Sequence, residues 1–213
     1  MKIIVLSSPR GSSSEPNVIT QLFRNGLEIF HLRKPTFSQK EMEEYLDLIP
    51  KKYLDRIMIH SHHKLAVKYN LNGIHLTRKY RKSKYRTRMR LKLLRLKKPD
   101  IKITTSFHSL NSLFDDERDY DYVFLSPVFD SISKGDYTSK FSGHNLEVVL
   151  SKTKHNVIAL GGVDVDKVDK IKKMNFFGMA LHGAVWGNDK PLEVFLNIKE
   201  ACQQLESVSK AIN

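Results

Sequence analysis

The sequence predicts an α/β protein built as a single-domain (β/α)8 TIM barrel over residues 1–213. Three observations carry this. Eight short apolar runs recur along the chain, amphipathic helical patterns fill the gaps between them, and neither an internal repeat nor a Pro/Gly/Ser-rich linker divides it. An open doubly wound sheet is the competing architecture. Its dinucleotide-binding form needs a G-x-G-x-x-G turn after the first strand, and "SSPRGSSSEP" lacks one.

The strand candidates are, in order, residues 2–6, 28–32, 56–60, 73–76, 102–106, 122–125, 157–160 and 178–182. Between the second and third, "SQKEMEEYLDLI" opens with Ser38 and Glu41 in capping-box spacing and repeats apolar residues at Met42, Tyr45, Leu46 and Ile49. Near the C-terminus, "VDVDKVDKIKKM" sets Val165, Val168 and Ile171 on one side. The last helix, "PLEVFLNIKEACQQL", begins at Pro191, a residue preorganised for a first helical turn.

Composition narrows the class. Hydrophobic residues make up 40% and charged residues 28%, which suits a globular chain rather than a disordered one. No run of 18 apolar residues occurs, so no membrane span is expected. The apolar run in "MKIIVLSSPRG" is too short for a secretory signal. Cys202 is the single cysteine, which rules out an intrachain disulfide and makes the cytoplasm the default compartment. The net charge of +13 is concentrated in residues 78–98, where twelve Lys or Arg occur without an acid. Such a segment could bind phosphates, RNA or acidic surfaces. The favoured reading is a solvated helix face, with either Met89, Leu93 and Leu96 or Leu91 and Leu94 packed inward. With no RNA-binding motif beside it, nucleic acid is the least favoured partner.

In a parallel barrel the chemistry sits at the carboxyl ends of the strands. Those positions here are His31, Leu32, Arg33 and Lys34 after strand two, His60 and Ser61 after strand three, and His75 in strand four. Strand five ends in Ser106, Phe107 and His108. Strand six runs into "SPVFDSISKGDY", with Ser131, Ser133, Lys134 and Gly135; strand seven ends in Gly161 and Gly162, and strand eight in His182 and Gly183. Basic, hydroxyl and glycine residues gather on one rim, and acids are nearly absent. Arg and Lys supply charge while glycines let backbone N–H groups approach oxygen atoms, so the rim suits a phosphorylated ligand. Each residue taken singly also fits a surface turn or a structural ion pair. A histidine metal centre is disfavoured: there is no H-x-x-x-H or Cys-rich pattern, and "HSHH" at 60–63 reads as the start of a helix.

Five segments, in order, resemble the thiamine phosphate synthase family and its thiazole tautomerase branch. "GLEIFHLRKP" is similar to that family's Gln-Leu-Arg-Glu-Lys stretch, "NGIHLTRK" to G-V-H-L-G-Q, and "TSFHSL" to S-x-H-S. "DYVFLSPVFDSISKGD" resembles D-Y-x-x-x-G-P-x-F-x-T-x-T-K, and "VIALGGVD" resembles A-I-G-G-I-N. The resemblance implies a transferase of thiamine biosynthesis. It would join a pyrimidine methyl pyrophosphate to a thiazole phosphate through a pyrimidine-stabilised cation, releasing pyrophosphate. It assigns Arg33, Ser106 and Lys134 to pyrophosphate, with Ser131 and Ser133 in place of the family's threonines. Gly161, Gly162 and the backbone near Gly183 fall to the thiazole phosphate. His31, Lys34, His60 and His182 complete the substrate-binding set. The partners implied are small phosphorylated pyrimidine and thiazole ligands, with room for a homodimer.

The departures are specific. The resemblance implies Mg²⁺, yet the family's Asn-Asp after strand three is His60-Ser61 here. Its later acidic residue falls near Arg78 and Lys79, so no metal ligands are assigned. His31 replaces the family's Gln, and Pro35 aligns with its Lys. The tautomerase branch has its catalytic His where Pro127 stands. Two readings therefore stand: a divergent synthase that depends little on magnesium, and a catalytically degenerate phosphate-binding or regulatory barrel.

Overall fold

The computed structural model describes residues 1–8, 12–130, 141 and 143–212. The strands are β1 (Lys2–Leu6), β2 (Ile29–Leu32), β3 (Ile57–Ile59), β4 (Gly73–Leu76), β5 (Lys102–Phe107), β6 (Tyr122–Leu125), β7 (Val157–Leu160) and β8 (Gly178–Leu181). They follow one another in chain order around a closed barrel, with parallel register. Every predicted strand is present, its ends moved by at most one residue. β2, β4, β6 and β8 are buried at every position, as expected of parallel strands covered on both faces. No helix among the described residues is long and apolar enough to cross a membrane.

The chain packs as two compact units. The first comprises Met1–Val5, Phe107–Arg118 and Phe124–Asn213. In it β8 lies between β1 and β7, with Ala180 opposite both Ile4 and Leu160. The helix Pro191–Ile212 buries Phe195 and Ile198. Val168 and Ile171 are buried as predicted, but Val165 is exposed: a 3-10 turn, Val165–Lys167, precedes the helix Val168–Lys173 and turns its first valine outward.

The second unit comprises Leu6–Ser106 and Asp119–Val123. The helix Glu15–Arg24 sets Phe23 against Phe30 of β2, edge to face at 6.4 Å, and against Tyr53, stacked at 5.1 Å. The helix Gln39–Asp47 begins with the predicted capping box: Glu41 N–H donates to Ser38 Oγ, and Ser38 N–H donates to the Glu41 carboxylate. Met42, Tyr45, Leu46 and Ile49 are buried. "HSHH" does not start a helix. His62 takes a positive φ of 50°, and the helix Leu65–Lys68 begins two residues after His63.

The basic segment forms two helices, Arg78–Lys82 and Lys84–Lys97. Of the two inward faces expected, the one bearing Leu94 is realised, with Thr87 beside it and Leu91 half-buried. Met89, Leu93 and Leu96 are 44%, 58% and 72% exposed, so this helix holds on by a narrow stripe and presents the rest of its surface to solvent.

In the first unit the turn after β7 demands glycine. Gly161 and Gly162 have φ of 93° and 63°. A Cβ on Gly162 would lie 2.4 Å from the Asp130 carbonyl oxygen, because Phe129 N–H donates to Gly161 O at 3.1 Å and draws the two segments together. Gly162→Ala should therefore cost about 2 kcal/mol or more, from backbone strain and displaced carbonyls. Urea unfolding of the variant checks this, and an unchanged midpoint would mean that the turn relaxes freely.

Candidate active site

Within the second unit, strand alternation decides which side chains point inward. Phe30 contacts the helix layer, so His31 takes the opposite face, toward the barrel interior. Register does the rest. Ile59 pairs with Ile74, so the next residues, His60 and His75, become neighbours, and His75 pairs with Thr104. The outcome is a buried polar cluster. His31 Nδ1 and His60 Nε2 share a hydrogen bond of 2.9 Å, and His31 Nε2 and the Tyr122 hydroxyl share one of 2.6 Å. His75 bonds Thr104 Oγ1 through Nδ1 at 2.9 Å and Ser106 Oγ through Nε2 at 3.1 Å. The rings of His60 and His75 stack at 4.1 Å.

These imidazoles are held neutral. Burial drives His31 and His60 well below the ordinary histidine range, with His75 adding to both. Burial, then His63, Arg33 and Arg81, lowers His75 to about 3. His63, beside the cluster, packs on Tyr80 at 4.7 Å. Burial and then Arg90 lower its pKa to about 4. The His60 and His75 backbones oppose that shift without completing a hydrogen bond to either ring nitrogen.

Arg33 and Lys34 meet opposite fates. Arg33 is exposed, and its backbone is clamped by Ser7: its N–H donates to Ser7 Oγ at 2.8 Å, and that hydroxyl donates to Arg33 O at 2.9 Å. Lys34 is buried. Its ammonium pairs with the Glu15 carboxylate and donates to Ser8 O at 2.8 Å, while Ser8 N–H donates to Glu15 at 2.8 Å. The Tyr45 and Phe37 rings lie 5.4 and 5.9 Å from Nζ. Burial raises the Glu15 pKa, and Lys34 and Ser8 work against that rise. The charge expected at Lys34 for a substrate is thus spent on Glu15.

The first unit carries Gly161 and Gly162 in the turn just described, and His182 and Gly183 directly after β8, where the short helix Gly183–Trp186 begins. His108 Nδ1 donates to Ser126 O at 2.7 Å. Ser131, Ser133 and Lys134 lie outside the described residues.

Magnesium takes about six hard oxygen ligands, usually with a carboxylate or two. The one group of three or more potential metal donors among the described residues is His31, His60 and His75, all nitrogen donors. Ser61 Oγ is buried without a hydrogen-bond partner, and Arg78 and Lys79 after β4 are exposed cations. This donor set does not fit magnesium. The sequence places these histidines at strand ends and disfavours a histidine metal centre for want of a ligand spacing; the structure brings three of them together. They come from successive parallel strands, where no short sequence spacing can announce them.

The fold and the placement of its polar residues define a class: a (β/α)8 barrel with basic, hydroxyl and glycine residues at the carboxyl ends of its strands. The thiamine monophosphate synthase family model matches residues 3–185, and the chain belongs to that family, a family of transferases. A thiamine-phosphate synthase from Clostridium tetani is 23% identical over 192 residues, covering 88% of this chain and 85% of its own. The crystal structure of a thiamine phosphate pyrophosphorylase from Bacteroides thetaiotaomicron is 29% identical, covers 95% of this chain and 98% of its own, and superposes with a TM-score of 0.74. One from Pyrococcus furiosus shares the fold at 19% identity, with coverages of 95% and 96% and a TM-score of 0.74.

Sequence reasoning missed Tyr122, Thr104 and Glu15 as partners of site residues. The signal available for Glu15 was its place on a buried helix face whose other members, Pro16, Ile19, Thr20, Leu22 and Phe23, carry no charge. Two outcomes follow from this geometry. Lys34→Ala, which strands the Glu15 carboxylate, should destabilise by about 3–5 kcal/mol, and Lys34→Met with Glu15→Leu should recover most of that loss. Arg33→Ala should change stability by less than about 0.5 kcal/mol. Urea denaturation of the four proteins compares them directly.

The second outcome concerns acid. The unfolded chain protonates its histidines below a pH near 6.5, whereas the folded chain holds His63 neutral to about 4 and His75 to about 3. The unfolded state binds more protons in that window, so stability is full above pH 6.5 and falls as the pH drops toward 4 and below. His63→Phe should remove on the order of 2–3 kcal/mol of this acid-dependent loss. Unfolding midpoints at pH 7 and pH 4.5 measure it; parallel losses in both proteins would show that His63 is already charged in the fold.

Proposed function

We propose that this chain joins a pyrimidine methyl pyrophosphate to a thiazole phosphate and releases pyrophosphate. The observation that carries the reading is the family match across residues 3–185, which takes in every strand of the barrel except the first residue of β1. The carbon–oxygen bond to pyrophosphate breaks, a cation stabilised by the pyrimidine forms, and the thiazole nitrogen captures it. The protein's work in such a reaction is to stabilise the departing negative charge and hold the two rings in line.

Arg33 and Lys134 supply charge to the pyrophosphate, and Ser106, Ser131 and Ser133 supply hydroxyls. The Gly161-Gly162 turn and the backbone at His182 and Gly183 receive the thiazole phosphate. His31 and His60 line the pyrimidine side, and Lys34 acts indirectly by fixing the segment that presents Arg33. In this role the chain works in the cytoplasm, as a monomer or homodimer, without a membrane or nucleic-acid partner. Because the converging donors do not fit magnesium, cations of the protein take over most of its charge-neutralising role. The same observation favours one alternative, a barrel that binds the phosphorylated ligands without turning them over.

A turnover assay with the two precursors, with and without magnesium, tests the proposal. Product should form at a rate that changes little when magnesium is removed. Arg33→Ala and Lys134→Ala should each weaken pyrophosphate binding about 10- to 100-fold, the worth of a charge-assisted hydrogen bond at roughly 1.5–3 kcal/mol. Tight pyrophosphate binding without product would select the binding barrel, and wild-type affinity in both variants would remove these residues from the site.

A further inference from the structure

We propose that His31, His60 and His75 form a binding site for a borderline divalent transition-metal ion of the zinc or cobalt class. One ligating nitrogen from each ring lies within 4.8 Å of the others. His31 Nδ1 and His60 Nε2 already face each other at 2.9 Å. Two nitrogens sharing a tetrahedral zinc at about 2.0–2.1 Å sit roughly 3.3 Å apart, so this pair needs to open by only a few tenths of an ångström. His75 has further to travel. Its ring stacks on His60 with an interplanar angle of 15°, and it must turn about Cβ–Cγ to aim a lone pair at the same point. That torsion is broad and soft for imidazole.

The surroundings already supply a far-side partner for one ligand. Tyr122 holds His31 at Nε2, the nitrogen turned away from His60, whereas His75, in turning its Nε2 to the ion, gives up its bond to Ser106 Oγ. A hydroxyl partner such as Tyr122 fixes the tautomer and the ring orientation of a metal-bound histidine. Imidazole donors suit zinc, cobalt, nickel and copper, whereas magnesium and calcium take oxygen. Three protein nitrogens leave the fourth position of a tetrahedral ion to water or to a ligand oxygen. Each ligand comes from a different strand or strand end, so the barrel framework itself sets their separation.

The test uses the full chain, stripped of metal, titrated with cobalt chloride and then zinc chloride in the absence of substrate. One cobalt ion should bind per chain with the intense visible absorption of tetrahedral Co²⁺, and zinc should bleach it. His31→Gln and His60→Asn should weaken binding on the order of 100-fold, and Tyr122→Phe about tenfold. His155→Asn, a buried histidine outside the cluster, should leave it unchanged. X-ray absorption on the zinc-loaded wild-type chain supplies a readout that does not depend on any variant folding, and should find three nitrogen donors at about 2.0–2.1 Å. Substoichiometric binding, fewer than three nitrogens, or unchanged affinity in the histidine variants would overturn the assignment. Since no substrate is present, failure here leaves the synthase reading intact, and an inactive synthase leaves this site intact.

Discussion

A barrel interior that holds three imidazoles must keep them uncharged and bonded, and much of the second unit is arranged to do so. An unsatisfied buried polar group costs roughly 1–3 kcal/mol, and a lone buried charge costs several times that. His31, His60 and His75 meet the requirement through one another and through three hydroxyls, on Tyr122, Thr104 and Ser106. Ser106 is thereby tied to a histidine on one side while remaining at the carboxyl end of β5, half-exposed. Ser106, through His75, and His60, through His31, are thus each tied by hydrogen bonds to the buried cluster.

The run of positive charge that dominates the sequence enters the same system from outside. Arg81 helps hold His75 neutral and Arg90 helps hold His63 neutral. Arg90 lies over Tyr80 at 4.7 Å, and Tyr80 packs on His63. The basic segment is mostly a solvated face, but its inner members impose a field that discourages protonation of the imidazoles.

Strands were legible because most are short, apolar runs, and β2, β4, β6 and β8 are buried at every position, a pattern that needs no partner to be seen. The capping box at Ser38 was legible for the same reason: all its atoms lie within four residues. The histidine cluster was not. His31 and His60 are 29 residues apart, and only the register of β2, β3 and β4 makes them meet. Lys34 shows the opposite failure. A lysine beside an arginine at a strand end reads as a second ligand cation, but Glu15, 19 residues earlier, claims it. The choice between the two leucine faces of residues 84–97 was likewise open, since both repeat with helical spacing and only packing selects Leu94.

The contrast between Arg33 and Lys34 has a bearing on how this chain could change over time. The two cations are adjacent, yet one faces water and the other sits against a carboxylate in the interior. What separates them is parity, the alternation of sides along an extended backbone. Inserting a single residue between β2 and this pair would shift both by one position, seating a guanidinium against Glu15 and turning an ammonium outward. Point substitutions can adjust the ligand-facing cation by degrees, but a change of length here alters both positions at once. Evolution of this rim is therefore constrained more tightly in residue count than in residue identity.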